Sequence, residues 1–155
     1  MTYTIEPINR ELAGDLCCQI TAALPEYFGL AQANEQYFAG VRTRENFAAI
    51  IDHKHVGLLS LDFPYPGNGN IYWMAVLQEY QNHGAGSKLL AHACAFAETR
   101  CADTMTVETL APQEANENYL KTYKFYKQSG FKPLFNLKPA GYEWNMVYMW
   151  KSLVR

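Results

Sequence analysis

A run of seven apolar residues in the middle of the chain most constrains its fold. Residues 71–77, Ile-Tyr-Trp-Met-Ala-Val-Leu, all belong to the hydrophobic class. A strand of this composition has to be covered on both faces, which is the situation of a central strand in a sheet that carries helices on either side. The run therefore predicts a mixed α/β domain.

Periodicity and turn signals predict the other elements around this strand. Predicted strands cover residues 3–8, 47–52, 55–62, 71–77, 105–110, 131–135 and 142–150. Predicted helices cover residues 9–24, 34–39, 84–100 and 117–129. Because neither a repeat nor a linker-like change of composition interrupts the chain, residues 1–155 are interpreted as one domain with the order βααβββαβαββ.

The bulk composition limits the partners and the compartment. Charged residues make up 18% of the chain and the formal net charge is -2, so nothing attracts it generally to nucleic acid or to an anionic membrane surface. The N-terminus lacks the basic start of a signal peptide, and no window approaches the roughly 18 apolar residues of a membrane span. The four cysteines suit neither a zinc site nor a redox loop and are interpreted as buried, reduced thiols. We expect a cytoplasmic protein without nucleic-acid or membrane partners and without a metal.

A glycine-containing loop, residues 81–87, joins the central strand to the next helix. Gly84 and Gly86 allow close backbone approach or a positive φ angle, and the following helix offers unpaired N–H groups at the positive end of its dipole. These groups together suit a diphosphate. A dinucleotide-binding turn needs a third glycine where this chain has Leu89, and Gly86-Ser87-Lys88 lacks the order and spacing of a P-loop. A plain strand-to-helix turn eased by glycines is the alternative interpretation.

The whole motif resembles a known family signature. Gln81-x-x-Gly84-x-Gly86, followed by Leu89-Leu90, is similar to the Gln/Arg-x-x-Gly-x-Gly/Ala signature of the Gcn5-related N-acetyltransferase (GNAT) superfamily. The resemblance implies a single GNAT-like α/β domain, with a mixed, mostly antiparallel sheet flanked by helices, and acetyl-coenzyme A as cosubstrate. It implies that the loop holds the coenzyme A pyrophosphate through Gln81, Asn82, His83, Gly84, Ala85, Gly86 and Ser87. It also implies that the backbone of the preceding strand contacts the pantetheine arm at Met74, Ala75 and Val76.

A second motif lies on the last predicted helix. Phe125-Tyr126 with Gly130-Phe131 resembles the aromatic-Tyr and Gly-Phe pair of the same family, in which the tyrosine protonates the leaving thiolate. The resemblance makes Tyr126 the candidate general acid, with Tyr123 on the same helix face as its substitute. The alternative is that Tyr126 is a core aromatic residue.

Upstream on this helix the chain resembles a variant of the family pattern. Many members carry an asparagine seven residues before the tyrosine, on the pantetheine side, whereas this chain has Tyr119 there, followed by Thr122. Members with this Tyr and Thr arrangement also exist, and the resemblance therefore makes Tyr119 a candidate coenzyme contact. A role for Asn118, one place earlier, stays open.

The base that removes the proton of the acceptor amine is a separate question. In histone-type members of the family a glutamate at the start of the central strand does this, but Asn70 stands at that place and cannot serve. Glu108, in the neighbouring strand, faces either the cleft or solvent and is the candidate base or water-holder. Glu26 and Glu35 in the N-terminal helical segment either bind a cationic amine or are surface acids.

These residues lead to one predicted function and two alternatives. We predict an N-acetyltransferase that moves an acetyl group from acetyl-coenzyme A to a primary amine of a small molecule or peptide by direct attack. The first alternative is a non-catalytic acyl-coenzyme A-binding or regulatory domain of the same fold, which Asn70 leaves open. The second is a nucleotide-binding α/β protein. A homodimer is a family expectation, and the aromatic segment 142–150 is either its interface or part of the core.

Overall fold

The computed structural model describes residues 2–153 and contains, over that range, seven strands and four α-helices. The strands are β1 Thr4–Ile8, β2 Glu45–Ile51, β3 Lys54–Tyr65, β4 Asn68–Val76, β5 Thr104–Leu110, β6 Lys132–Leu137 and β7 Met146–Ser152. The helices are α1 Arg10–Ala23, α2 Ala31–Val41, α3 Ala85–Thr99 and α4 Glu117–Gln128. A 3-10 turn, Gln78–Tyr80, joins β4 to the glycine loop. The predicted order βααβββαβαββ is confirmed.

The strands form one sheet with the spatial order β1-β2-β3-β4-β5-β7-β6. The central pair, β4 and β5, is parallel, whereas every other neighbouring pair is antiparallel. The expected mixed, mostly antiparallel sheet flanked by helices is therefore confirmed. At one edge of the sheet lies β6, and all six of its residues are exposed.

Helices cover both faces of the sheet. On one face α3 buries Leu89, and Phe96 of the same helix packs on Phe47 of β2 with ring centroids 5.1 Å apart. On the other face lie α1 and α2, where the Tyr72 hydroxyl of β4 donates to the Gln36 carbonyl of α2 at 3.4 Å. The apolar strand β4 is thus covered on both sides, as its composition requires.

The structure corrects several predicted boundaries. Strand β3 ends three residues later than predicted and β4 begins three residues earlier, so the turn between them is shorter. Helix α2 begins at Ala31, three residues earlier than predicted, because the Ala-Gln-Ala sequence there consists of good helix formers. The strand predicted over residues 142–150 begins only at Met146. Just before it, the backbone N–H of Asn145 donates to the Glu114 carboxylate, so this stretch is held in a loop outside the ladder.

The cysteines divide into two pairs. Cys17 and Cys94 are buried, whereas Cys18 and Cys101 are exposed, and all four are free thiols. The expectation of burial is therefore wrong for two of them, because Cys18 lies outside the buried stripe of α1 and Cys101 follows the end of α3. Within residues 2–153 no helix has the length and apolar character needed to cross a membrane. The same residues contain no group of three His, Cys, Asp or Glu side chains placed to hold a metal.

Candidate active site

The parallel strands β4 and β5 separate part-way along their length and leave a gap in the sheet. Their pairing ends at Ile71 and Val107. Beyond that pair β4 continues to Val76 and β5 to Leu110. The edge of β4 from Tyr72 onward, about 13 Å of strand, therefore faces no neighbouring strand. We name this gap the β4–β5 opening.

Alternate residues of β4 present their backbone to the opening. Leu77 N donates to Val56 O at 2.8 Å, which fixes the alternation of hydrogen-bonded pairs between β3 and β4. By that alternation Ala75 bonds to β3, whereas Met74 and Val76 direct their N–H and C=O groups toward the β4–β5 opening. Of the three strand residues predicted to contact pantetheine, two thus offer backbone groups to the gap.

A β-bulge in β4 turns two consecutive aromatic residues to the same face of the sheet. The register with β3 skips Tyr72, since Trp73 pairs with Ser60 and Ile71 with Leu61. Tyr72 reaches α2, and Trp73 packs on the segment between α1 and α2. Both rings therefore border the β4–β5 opening on the face of α1 and α2.

The glycine loop enters α3 through two residues in the left-handed conformation. Asn82 has a φ of 64° and Gly84 a φ of 91°. No side chain of the described residues caps the helix at Gly84, so the N–H groups of its first turn are left for a ligand. The Gln81 side-chain amide donates to the Val76 carbonyl at 2.9 Å and ties the loop to the end of β4. Around these residues the loop is open to solvent at Asn82, His83, Gly84 and Ser87, whereas Ala85 is buried and Gly86 is half-buried.

The two glycines of the loop meet different requirements. A Cβ atom at Gly86 would lie 3.3 Å from the Met74 Cε and 3.4 Å from the Phe125 ring, so the missing side chain lets α3 approach both β4 and α4 closely. Around Gly84 there is open space, and its requirement is the positive φ angle. Gly84 therefore meets the conformational requirement of the turn, whereas Gly86 meets a packing requirement.

Tyr126 lies in the core beside the contact of α3 with α4. It is 5% exposed, and its ring packs edge-on against Phe125 and Phe131 with centroid distances of 5.3 and 5.5 Å. Burial raises the pKa of Tyr126 well above its usual range, so its hydroxyl, which an ordinary tyrosine also keeps protonated at neutral pH, is a weaker acid. Tyr126 thus has the protonation state that an acid needs together with the burial of a core aromatic residue.

Tyr119 joins α4 to the segment between α1 and α2. Its hydroxyl donates to the Tyr27 carbonyl, and the two rings meet edge-on with centroids 5.6 Å apart. Its backbone N–H donates to the Asn116 side chain that caps α4. Burial raises the pKa of Tyr119 to about 12. The hydroxyl predicted to contact the coenzyme is therefore engaged within the chain.

Glu108 lies at the β4–β5 opening among tyrosines. It is exposed and directly follows the last residue of β5 that pairs with β4. The Tyr142 hydroxyl donates to its carboxylate at 3.4 Å, and burial followed by the Glu108 charge raises the pKa of Tyr142 to about 12. Tyr148 stands opposite Glu108 in the β5–β7 ladder, and burial followed by a hydrogen bond to Glu108 raises the pKa of Tyr148.

The other polar candidates lie away from this carboxylate or are engaged. The Asn70 side chain donates to Asp62 at 3.1 Å and accepts from the Thr106 hydroxyl at 2.8 Å, so it ties β3, β4 and β5 together. Glu26 and Glu35 are exposed, and no ion pair of the described residues involves either of them.

None of the tyrosines at or near Glu108 was selected as a site residue from the sequence, namely Tyr37, Tyr72, Tyr142 and Tyr148. Tyr37 of α2 is close enough that, after burial and the neighbouring Tyr72, the Glu108 charge raises its pKa. These residues come from separate elements, and no spacing in the sequence connects them. The high tyrosine count, 11 in 155 residues, was the one signal present.

A comparison with protein families identifies the group to which this arrangement belongs. The acetyltransferase (GNAT) domain profile matches residues 42–133, more than half of the 155 residues, and includes the opening and the glycine loop. The chain belongs to the GNAT acetyltransferase family. The resemblance seen in Gln81 to Gly86 and in Phe125-Tyr126 is therefore confirmed. A search among curated proteins gives no match.

Solved GNAT structures share the fold of this chain. Ard1 from Thermoplasma volcanium has a TM-score of 0.77 at 14% sequence identity, with 100% of both chains covered. The ribosomal-protein-S18-alanine N-acetyltransferase from Escherichia coli has a TM-score of 0.75 at 18% identity and covers 99% of this chain and 96% of its own. An aminoglycoside 6'-N-acetyltransferase complexed with coenzyme A has a TM-score of 0.74 at 16% identity, with 98% of each chain covered. At such low sequence identities, the structural similarity shows a shared fold and does not show a shared substrate.

Proposed function

We propose that this GNAT-family chain is an N-acetyltransferase that moves an acetyl group from acetyl-coenzyme A to a primary amine by direct attack. The observation that carries the proposal is the β4–β5 opening, whose free strand edge leads to the uncapped N-terminus of α3. The strand edge offers hydrogen-bonding groups to an extended amide chain, and the helix N-terminus offers N–H groups to a diphosphate. Acetyl-coenzyme A contains both parts in this order.

The donor is assigned mainly to backbone groups. The pyrophosphate is assigned to the loop from Asn82 to Ser87, at the positive end of α3. The pantetheine amides are assigned to the backbone of Met74 and Val76. Gln81 acts indirectly, since its side chain holds the Val76 carbonyl and brings no positive charge to the phosphates.

The transfer needs one group that accepts a proton and one that donates a proton. The neutral amine attacks the thioester carbonyl carbon, a C–N bond forms, the C–S bond breaks, and the coenzyme leaves as the thiol. We assign Glu108, or a water that it holds, as the acceptor of the amine proton, because its carboxylate is exposed where β5 leaves β4. We assign Tyr126 as the donor to the thiolate, because it stands at the tyrosine position of the family motif and its hydroxyl is protonated at neutral pH.

The decisive experiment measures acetyl-coenzyme A turnover against an amine library, followed by thiol release. Tyr126→Phe keeps the ring that packs on Phe125 and Phe131 and removes only the hydroxyl. We expect kcat to fall about 100-fold, the lower end of what a general acid contributes, with an unchanged Kd for acetyl-coenzyme A. Tyr65→Phe, at an exposed position on β3, is the control and should leave kcat unaltered. An unchanged kcat in Tyr126→Phe would remove the assigned role.

A non-catalytic acyl-coenzyme A-binding domain is the second candidate function. It is favoured by the 5% exposure of Tyr126 and by Asn70, which stands in place of a catalytic glutamate and is bonded into the sheet. Binding of acetyl-coenzyme A without transfer to any amine would support it. For a nucleotide-binding protein, ATP or NAD would raise the melting temperature while acetyl-coenzyme A would not.

Assembly and location stay predictions. The segment proposed as a homodimer interface, residues 142–150, includes β7, which lies inside the sheet between β5 and β6. The edge strand β6 exposes Leu134, Phe135 and Leu137 by 60%, 50% and 51%. We therefore propose β6 as the dimer contact, which sedimentation equilibrium of the wild type and Leu134→Asp tests. Cell fractionation tests the cytoplasmic location.

A further inference from the structure

The side chains at the β4–β5 opening on the face of α1 and α2 take no part in holding the donor. Four tyrosines of this face lie at Glu108 or next to the tyrosines that do, and we name them the tyrosine cluster. Tyr142 and Tyr148 adjoin the carboxylate, Tyr37 senses its charge, and Tyr72 neighbours Tyr37 and Tyr142. Tyr72 and Glu108 directly follow the last paired residues of β4 and β5. The cluster therefore lies at the point where the two strands begin to separate.

Glu108 is a free carboxylate at the centre of the tyrosine cluster. It accepts a hydrogen bond from the hydroxyl of Tyr142 at 3.4 Å and lies opposite Tyr148 in the β5–β7 ladder. No Lys, Arg or His of the described residues forms an ion pair with it. A neutral hydroxyl leaves the negative charge of this exposed carboxylate without a cationic partner, so the site attracts a cation.

Beside the tyrosine cluster, Arg44 and Asp62 compensate each other. Arg44 Nε lies 2.8 Å from the Asp62 carboxylate, and the Arg44 guanidinium covers the Tyr72 ring at 3.6 Å from its centroid. The Glu114 carboxylate accepts hydrogen bonds from the neutral Asn145 and keeps its charge, but no hydrogen bond of the described residues joins it to the cluster. Among the described residues, Glu108 is thus the unpaired carboxylate that is hydrogen-bonded to the cluster, and it matches one positive charge of a ligand.

An aromatic wall continues from the tyrosine cluster. The rings of Phe28, Tyr37 and Trp73 lie in mutual contact, with centroid distances of 5.3 Å for Phe28 to Trp73, 6.1 Å for Phe28 to Tyr37 and 6.3 Å for Tyr37 to Trp73. Trp73 is 5% exposed and supports the wall from the core, so the half-buried rings of Phe28 and Tyr37 are the ones that can pack on a flat apolar group. The faces of aromatic rings also attract ammonium groups.

We propose that this face is the acceptor site and that the acceptor is a small monoamine with a flat, apolar body, of the arylalkylamine class. The inference rests on the proposed N-acetyltransferase function and extends it by naming the acceptor class. The ammonium group pairs with Glu108 beside the tyrosine rings, and the apolar body lies on the half-buried rings of Phe28 and Tyr37. After the amine loses a proton to Glu108 or to a water that it holds, its nitrogen attacks the acetyl carbon.

The same reasoning disfavours polycationic acceptors. One fold relative is an aminoglycoside 6'-N-acetyltransferase, and an aminoglycoside carries several ammonium groups. A site with one free carboxylate leaves most of those charges desolvated without a partner, which costs binding free energy. Polyamines meet the same penalty. Similarity of fold to an aminoglycoside acetyltransferase therefore does not imply the same acceptor.

Calorimetry with phenethylamine, spermidine and kanamycin tests the inference on the full chain. Coenzyme A, which carries no acetyl group, is present, so that amine binding is measured without reaction. We expect phenethylamine to bind about tenfold more tightly than either polycation. Tighter binding of spermidine or kanamycin, or no binding of phenethylamine, overturns the inference. Phenethylamine that binds but is not acetylated when acetyl-coenzyme A is supplied contradicts the proposed function and supports the assigned site.

A matched pair of variants locates the binding. Tyr142 and Trp144 lie two residues apart in one loop and are 44% and 51% exposed, so either can be replaced by alanine without opening the core. We expect Tyr142→Ala to weaken phenethylamine binding about fivefold to tenfold, and Trp144→Ala to leave it unchanged. Glu108→Gln, which removes the charge and keeps the shape, should weaken it about tenfold or more. Equal effects of the two alanine variants, or no effect of Glu108→Gln, overturn the assignment.

Discussion

The donor side of the β4–β5 opening is formed by backbone, whereas the acceptor side proposed for it is formed by side chains. On the donor side the free edge of β4 meets the first turn of α3, and Gly84 and Gly86 contribute by having no side chain. On the acceptor side, Tyr37, Glu108 and Tyr142 come from α2, from β5 and from the loop before β7. One continuous segment builds the first side, and distant segments build the second.

This difference shows that the two ligands make different demands. Backbone in the right conformation can bind a diphosphate and an amide chain. The sequence is therefore constrained mainly at the positions that must lack a side chain. An ammonium group on an apolar body requires a carboxylate and aromatic rings, which backbone cannot supply. The sheet topology has to bring those side chains together.

Gly86→Val is expected to have the largest effect on the donor side. A valine would add two methyl groups where a Cβ alone already lies 3.3 Å from Met74, so α3 has to move away from β4. We expect acetyl-coenzyme A binding to fall below detection in calorimetry, and the free energy of unfolding in urea to fall by about 1–3 kcal/mol. Near wild-type binding would show that the donor side does not depend on the missing side chain.

Gly84→Ala and Gly141→Ala form a matched pair that compares the two sides directly. Gly84 has a φ of +91° and Gly141 a φ of +85°, and neither position has an atom close to a new Cβ. Each change should cost about 1–2 kcal/mol of unfolding free energy, because alanine disfavours the left-handed conformation. Only Gly84→Ala should raise the Kd for acetyl-coenzyme A, and only Gly141→Ala, next to Tyr142, should raise the amine KM. Parallel changes in both constants would mean that the two sides are not separable.

Tyr119→Phe tests a residue that lies between the donor and the acceptor side, through the pH dependence of the unfolding free energy. The usual tyrosine pKa of about 10 rises to about 12 on folding, so this hydroxyl stabilises the fold fully below pH 10 and loses that contribution as the pH rises through 12. We expect the unfolding free energy of Tyr119→Phe to start about 1 kcal/mol lower at pH 8, since the bond to Tyr27 is lost. It should then decline less steeply than that of the wild type.

Urea unfolding at pH 8, 10 and 11 measures that slope, and an identical slope in both proteins would contradict the role of Tyr119. Ligand constants of the same variant assign the residue to a side. A raised Kd for acetyl-coenzyme A would place Tyr119 with the donor, as the family pattern implies. A raised amine KM would place it with the acceptor segment that it contacts at Tyr27.

Gln81→Ala is expected to have the smallest effect. It removes the hydrogen bond to Val76, which is worth about 0.5–1.5 kcal/mol of unfolding free energy. The Kd for acetyl-coenzyme A should rise only about twofold to threefold, since the loss is indirect. Gln78→Ala, at an exposed position of the 3-10 turn, is the control. A much larger rise in Kd would show that Gln81 contacts the coenzyme itself.

The parts of the fold that the sequence predicts correctly depend on local signals. Asparagine favours the position before a helix, and the Asn9 side chain caps α1 by accepting from Leu12 N at 2.8 Å. Glycine favours the position after a helix, and Gly130, which follows α4, has a φ of +97°. Gly84 and Gly86 are also predicted from local signals, because a positive φ angle in a turn and close packing at the start of a helix both favour glycine.

The parts that the sequence does not predict depend on contacts between distant segments. The start of β7 depends on the bond from Asn145 to Glu114, which no periodicity reveals. The face of the sheet on which the Tyr72 side chain lies depends on a bulge. Plain alternation would place Tyr72 and Trp73 on opposite faces. The burial of Tyr126 depends on how α4 packs, since a tyrosine motif is the same in a core and in a cleft.

The extra residue at Tyr72 also divides β4 into two stretches that an engineer can treat separately. Tyr72 and Trp73 border the aromatic wall, whereas Met74 and Val76 carry the free backbone edge. Exchanges at position 72 at constant length can therefore retune amine preference while the coenzyme contacts keep their register, whereas Trp73 is 5% exposed and belongs to the core. Deleting Tyr72 would remove the bulge and leave both arms of the strand in register, because Ile71 and Trp73 already pair with the consecutive residues Leu61 and Ser60. In directed evolution this position should therefore tolerate shortening as well as exchange.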